Sequence, residues 1–545
     1  MKGIKLQVPR QDPSHTVSID IRPEGLKQWL DSLPLTNTNE AVSQLLPVLK
    51  EVNHSQIKPA LRHDFLLLVQ PMVLDLARKI KKRYINVTLP LTPQIQVNVN
   101  TVRELHREMA FAYKLIIVEL SHQERNQEEN IILKNALYCA IRSLSRILLE
   151  SYIVFENEPG TVWSELHLLY QFTEKNLSSF LKAPGISENR WTNPVINAYK
   201  RIVLLALANP YHLMQGEVNR IDQLLKTWSS NTLIHEFGHD NFLTGKFVID
   251  LAADAPPRYM TASMKSCMPI DIRMIDTRNL HTKVKQQIEK FSRPVKFKNN
   301  ITMLGHRQMR NMFVRLENTW HTRPERLFPR STNLSKVIMS TGLSASHYFV
   351  SGEVAFNTRQ ENVSVTDTQS QHNINLWNQR SDSHGGLGLF CNHEQGAKIN
   401  VGELVALKPV IASGENEWEV GVIRWLRSQP ESFMHVGVKI LSEGAISVAT
   451  RGVKGTGKGN EYYRSLLLPN LDPREHPTTL ITPAAVYDTG SIIAINMEDM
   501  LIYAKITRLV QSTNSFSQFQ FKLTEAPAHT NKHAFSSQSD QLSVW

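Results

Sequence analysis

Arg326 and Arg330 place two guanidinium groups four residues apart in the segment Arg-Leu-Phe-Pro-Arg, with Arg323 three residues ahead. Pro329 has no amide N–H and a fixed φ, so the pair does not sit in a regular helix interior. Guanidinium forks hydrogen-bond phosphate oxygens in pairs and stack on flat rings. Residues 381–386 read Ser-Asp-Ser-His-Gly-Gly, a tight turn between two stretches of alternating apolar residues. Ser381, Asp382 and Ser383 offer small polar groups, and Gly385 and Gly386 free the backbone N–H groups around them, which suits the edge of a purine. Together the two segments describe a pocket for a guanine nucleotide that carries phosphate. They do not describe a catalytic centre.

Four other signals carry a possible chemistry. His235-Glu-Phe-Gly-His239 is a literal HExxH, in which His235 and His239 would hold zinc and Glu236 would activate water. That motif requires a helix running past His239, yet Gly238 and the following Asp-Asn-Phe-Leu-Thr-Gly lead into an apolar strand, so a surface hairpin is expected there. Residues 452–459 nearly spell a phosphate-binding loop. Gly459 replaces the magnesium-binding hydroxyl and no helix follows, so a flexible basic linker is expected. Arg142 and Arg146 repeat the four-residue spacing on a helical stretch, where they are expected to form a solvated edge. Trp425, one position past Arg424, shares a strand face with Ile423 and is expected in a core.

The elements that must hold these residues follow from periodicity. Residues 24 to about 225 carry apolar residues at three-and-four spacing, enough for six to eight helices, with Asn100 or Thr101 as a cap for the third. From about residue 323 onward the pattern alternates, in short runs separated by Gly, Pro, Ser and Asn, as in a small antiparallel barrel. The fold class expected is multidomain α+β: an all-α N-terminal module, a small antiparallel β-barrel and a second β segment. The boundaries read 1–225 for the helical module, 226–320 for a mixed hairpin and helix connector, and 321–450 for the barrel. They continue with 451–460 for the basic linker, 461–526 for a C-terminal β domain and 527–545 for a flexible tail. Residues 344–372, polar and rich in Gln, Asn and Thr, read as an insertion.

Bulk composition narrows the partners. A net charge of +11 over 545 residues favours anionic partners, but no Lys/Arg-rich run marks a nucleic-acid arm. Three cysteines with no close spacing argue against a disulfide framework or a structural zinc site. The N-terminus lacks the apolar stretch of a signal peptide, and the longest apolar runs fall short of the ~20 residues of a spanning helix. A cytoplasmic location without a transmembrane segment is expected.

The Arg326/Arg330 pair entering a barrel, and the serine–glycine turn between its second and third strands, resemble a PilZ domain, the bacterial cyclic-di-GMP receptor fold. The sequences Val-Gly-Glu-Leu-Val from residue 401, Gly-Val-Ile-Arg-Trp-Leu from 421 and Val-Gly-Val from 436 support the resemblance over roughly residues 320–450. The helical half before it and the β segment after it are similar to a proteobacterial group of PilZ receptors linked to surface attachment and type IV pili. The resemblance implies that Arg326 and Arg330 clamp phosphates and stack on guanines, while Ser383 and Gly386 meet a guanine edge. It implies no enzyme activity and no cofactor; the ligand is cyclic-di-GMP and the output is a contact with a protein partner such as pilus or motility machinery. The sequence departs at the leading Asp/Asn position of the turn, which is Ser381, with Asp382 one residue late. Two alternatives stay open: an interaction scaffold whose barrel has lost its ligand, and the HExxH metalloenzyme.

Overall fold

The computed structural model describes residues 4–122, 124–176, 193–236, 246–260, 271–293, 295, 300–321, 331, 335–356, 372, 374–383, 385–392, 398–410, 418–429, 433–469, 477–497 and 500–526. The chain divides into two compact units. One comprises residues 1–87, 91–286 and 315–324; the other comprises 88–90, 287–314 and 325–545.

The first unit is helical, with described helices at Pro23–Ser32, Thr38–His54, Pro59–Lys81, Pro93–Ser121, Gln127–Ile153, Val162–Lys175, Pro194–Leu207 and Glu217–Trp228. Local chemistry sets their ends. Asn126 and Glu129 form a reciprocal capping box at the start of helix 127–153. The helix expected to begin at Asn100 or Thr101 starts earlier. Thr92 accepts from the Ile95 N–H, and Pro93 occupies the first turn, where its missing N–H costs nothing. Helix 93–121 is buried almost all round, from Leu105 through Leu120, as a central helix must be. The charges it takes inside are paired: Lys114 with Glu165 at 2.6 Å, and Arg103 with Glu156 at 2.5 Å.

A four-stranded antiparallel sheet completes this unit, built from β1 (Leu233–Glu236), β2 (Lys246–Asp250), β3 (Arg258–Tyr259) and β4 (Ile272–Asp276) in the order β1-β4-β2-β3. The expected hairpin across residues 235–246 is therefore corrected. The strand β4 lies between β1 and β2 and pairs with both. Buried Val248, Met260, Ile272 and Met274 form its core.

The second unit holds two closed six-stranded antiparallel barrels. The first comprises β5 (Lys336–Thr341), β6 (Ile374–Ser383), β7 (Gly386–Asn392), β8 (Leu404–Pro409), β9 (Glu419–Ser428) and β10 (Phe433–Ser442), in the order β10-β7-β6-β5-β8-β9. The second comprises β11 (Ile446–Lys454), β12 (Tyr463–Leu468), β13 (Thr479–Pro483), β14 (Ile492–Met497), β15 (Met500–Ser512) and β16 (Phe516–Leu523), in the order β11-β12-β13-β16-β15-β14. Closure leaves no sheet edge unpaired. Inward Leu480, Ile493, Ile495, Ile506 and Phe519 fill the second barrel.

The basic segment expected as a flexible linker is part of this barrel. Residues 446–450, expected in the first barrel, and 451–454, expected in the linker, together form β11. Lys458 then bridges back to Gly452. A side chain at Gly452 would sit 2.1 Å from the Gly457 carbonyl oxygen, so this segment owes its glycines to close backbone approach and not to flexibility. Residues 344–350, expected within an insertion, belong to a helix, Leu343–Val350. Its Leu343 packs with Leu404 and Val422 of the first barrel and Leu466 and Phe516 of the second in one shared core. Helix Asn300–His321 contributes residues 300–314 to this unit. There Arg307 donates to the Tyr487 carbonyl at 2.9 Å and to Asp488 at 2.7 Å.

Candidate ligand site on the first barrel

Arg323, Arg326 and Arg330 lie outside the described residues, as does His384. Ser381, Asp382 and Ser383 form the end of β6, Gly385 the turn and Gly386 the start of β7. The turn is tied down at its base. The Ser383 hydroxyl donates to the Gly386 carbonyl at 3.1 Å, and the Gly385 carbonyl accepts from the Ile440 N–H at 3.2 Å. Gly386 cannot be replaced cheaply, because a Cβ there would lie 2.5 Å from the Val438 carbonyl oxygen. The expected serine and glycine positions of the turn thus come together in one hairpin.

Register decides what surrounds them. A bulge lies between Gln379 and Ser381, after which Ser381–Gly388, Asp382–Leu387 and Ser383–Gly386 pair in regular order. The bulge leaves Arg380 without a cross-strand partner, ahead of the serines of the turn. On the next strand pair Val436–Leu389, Gly437–Gly388 and Val438–Leu387 follow. A second bulge, at Arg424, separates the Gly437–Trp425 pair from the Val438–Ile423 pair.

That bulge overturns the expectation for Trp425. Alternation without it would set Trp425 beside Ile423 in the core. With it, Ile423 and Leu426 are buried while Trp425 stays half-exposed on the outer surface of the barrel. One row across the outer face then reads Trp425, Gly437, Gly388, Ser381. The two central glycines let the flanking side chains lie flat. The indole nitrogen of Trp425 stands 1.8 Å from where a Cβ of Gly437 would be, and the Ser381 hydroxyl 2.6 Å from that of Gly388. The result is a platform with an aromatic ring at one end and a hydroxyl at the other.

Cations border it. His435 pairs with Arg427 and Phe390 in the adjacent row, its ring stacked on Phe390 with centroids 5.9 Å apart. Burial, then Arg380 and Arg427, push the His435 pKa below its ordinary value, so the ring is neutral near pH 7. Burial and Arg424 likewise lower Lys439. Arg424 also donates to Gln511 at 2.9 Å. A flat ring, a hydroxyl and a border of guanidinium groups can stack a base, meet its polar edge and attract phosphate. The sequence offered no sign of the platform, because each of its glycines matters only once the strand registers are known.

The zinc motif is not supported at its first two residues. His235 and Glu236 occupy β1, opposite Met274 and Arg273, where a helix would be needed, and His239 lies outside the described residues. Among the described residues no group of His, Cys, Asp or Glu is arranged to hold a metal, and no helix is long and apolar enough to cross a membrane.

Family comparisons cover most of the chain, and the middle match begins within the four-stranded sheet of the first unit. Residues 24–238 match a model of the N-terminal domain of the cyclic-di-GMP receptor FimW. Residues 246–383 and 357–446 match its middle PilZ domain, and residues 448–524 its C-terminal β-barrel domain. The chain belongs to the FimW family of PilZ-domain proteins. The cyclic-di-GMP receptor FimW of Pseudomonas aeruginosa is 23% identical over an alignment 589 positions long, covering 97% of this chain and 94% of that protein. The FimW C-terminal model takes in all of β12–β16 and most of β11, and the PilZ model ends at Ile446, where β11 begins.

Proposed function

We propose that this chain is a non-enzymatic cyclic-di-GMP receptor whose ligand is held at the outer face of the first barrel. Arg326 and Arg330 clamp the phosphates, Ser381, Ser383 and Gly386 meet a guanine edge, and Trp425 supports a base. Arg323, Asp382 and Gly385 border the same site. The observation that carries this reading is the row Trp425-Gly437-Gly388-Ser381, which lays an indole and a hydroxyl flat beside the serine–glycine turn. The name of the 23% identical relative supports the choice of ligand.

The energetics are adequate. Charge-assisted hydrogen bonds contribute about 1.5–3 kcal/mol each after desolvation, and a stacked base about 1–3 kcal/mol. Two arginines, one stack and the turn contacts reach the roughly 8 kcal/mol of micromolar binding. Ligand binding changes a contact with a protein partner, in surface attachment, motility or pilus function. Calorimetric titration of the full chain tests the reading: cyclic-di-GMP binds in the micromolar range, and Arg326→Ala or Arg330→Ala abolishes binding. Absence of binding by the wild type at high micromolar ligand refutes it. Ser381 at the leading position favours the second reading, an interaction scaffold with a ligand-free barrel, and that same null titration is its signature.

A further inference from the structure

Arg142 and Arg146 lie four apart on helix 127–153, so their side chains share a face. That face is not the solvated edge expected from sequence. It lines a cavity of about 380 Å³ inside the helical unit, whose apolar wall includes Leu74, Ala77, Val102, Leu149 and Ile202. The charged lining is one-sided: Arg78, Lys81, Arg142, Arg146, Arg201 and Lys226 against only Glu150 and Asp222.

Both carboxylates are already engaged. Asp222 accepts from two nitrogens of Arg201, at 2.6 and 2.5 Å. Glu150 accepts from Lys81 at 2.7 Å and from the Tyr84 hydroxyl at 2.6 Å. Arg142 and Arg146 have no ion pair or hydrogen bond among the described residues. Burial and the neighbouring Arg142 push Arg146 down to about 10, and burial and Arg201 lower Arg142. Two partly buried like charges with no hydrogen-bonded counter-ion of their own are an unfavourable arrangement that a bound anion relieves.

We propose that this cavity is a second ligand site, in which Arg142 and Arg146 hold the phosphate of a small organic anion. Guanidinium forks match phosphate oxygens, and the apolar wall accommodates an organic moiety. The volume lies near the lower end of the ~300–1,000 Å³ typical of small-molecule pockets, which suits a nucleotide or sugar phosphate and not a macromolecule. The site lies in the helical unit and its chemistry is independent of the barrel reading.

The test uses the full chain at constant ionic strength, with thermal denaturation and calorimetry. Inorganic pyrophosphate and GMP serve as separate probes, with sulfate as the control anion. Pyrophosphate or GMP raises the melting temperature saturably, and Arg142→Gln or Arg146→Gln weakens binding by about tenfold or more. Arg330→Ala leaves the effect in place. Tighter binding of GMP than of pyrophosphate assigns the ligand to nucleotides, and the reverse order assigns it to free phosphates. Lys226→Gln, an exposed lining position, weakens binding without threatening the fold, so the question stays decidable if an arginine variant fails to fold. A shift of equal size with sulfate, or one retained in Arg142→Gln and Lys226→Gln, overturns the proposal. So does no shift with either probe.

Discussion

Removing the indole from the barrel face isolates the stacking contribution. Trp425 is half-exposed and rests on the backbone of Gly437, so Trp425→Ala deletes the platform while leaving the inward Ile423 and Leu426 in place. Loss of one stacked base costs about 1–3 kcal/mol, which weakens cyclic-di-GMP binding by roughly 5- to 150-fold. Trp425→Phe keeps a ring and recovers most of that loss. A companion change works without touching the tryptophan. In Gly437→Ala the new Cβ would fall 1.8 Å from the indole nitrogen and 2.4 Å from two ring carbons, so the ring must leave its seat. Gly437 is held between β7 and β9 on both sides, and its backbone cannot yield instead. Calorimetry gives the affinity, and melting curves confirm that each variant folds. If folded Trp425→Ala binds within twofold of the wild type, the platform is not where the base sits and the site must be sought elsewhere on the barrel.

Two predictions concern the helical unit. His106 is fully buried, and burial, reinforced by Arg146, Lys81 and Arg142, holds its pKa well below the ordinary value. The unfolded chain therefore binds a proton that the fold refuses, so stability is full above pH ~6.5 and falls below it, at up to about 1.4 kcal/mol per pH unit. Melting temperatures recorded from pH 7.5 to 5.5 decline, and His106→Asn flattens the slope; a pH-independent wild type contradicts this. Glu165 neutralises the buried Lys114 at 2.6 Å, so Glu165→Gln strands an ammonium and costs about 3–5 kcal/mol, whereas the apolar pair Lys114→Met with Glu165→Leu restores most of the loss. Urea denaturation followed by circular dichroism distinguishes the two; equal loss in both variants would show that packing and not charge is responsible.

The alternating and helical patterns were legible wherever an element's period is its own property. The helix from Gln127, the six strands of the first barrel, and β12, β14, β15 and β16 fall within the helical and alternating stretches that local periodicity marks. β13 is too short to show a period, and Gly452, Gly455 and Gly457 give β11 and the residues after it the pattern of a linker. Those glycines answer to strands far away in sequence, as does the place of β4 between β1 and β2. The bulges at Arg380 and Arg424 are invisible in the same way. A single unpaired residue reverses every later side chain on its strand, and that is why Trp425 faces outward.

The two Arg-x-x-x-Arg spellings make the limit concrete. At 326 and 330 the intervening Pro329 rules out a helix interior, and a barrel pattern follows, so chemistry could be assigned from context alone. At 142 and 146 the helix is equally plain, and its geometry sets both guanidinium groups on one face. Whether that face meets water or a cavity depends on helices 59–81, 93–121, 194–207 and 217–228, which supply the other walls. Nothing within five residues of Arg142 encodes those neighbours. Charge balance does carry a trace of them: Asp222 and Glu150 are each consumed by another cation, Arg201 and Lys81, and the arginines between them are left over. A half-buried site of this kind is found by asking which cations in a packed unit lack a hydrogen-bonded counter-charge of their own, a question that the fold must be known to answer.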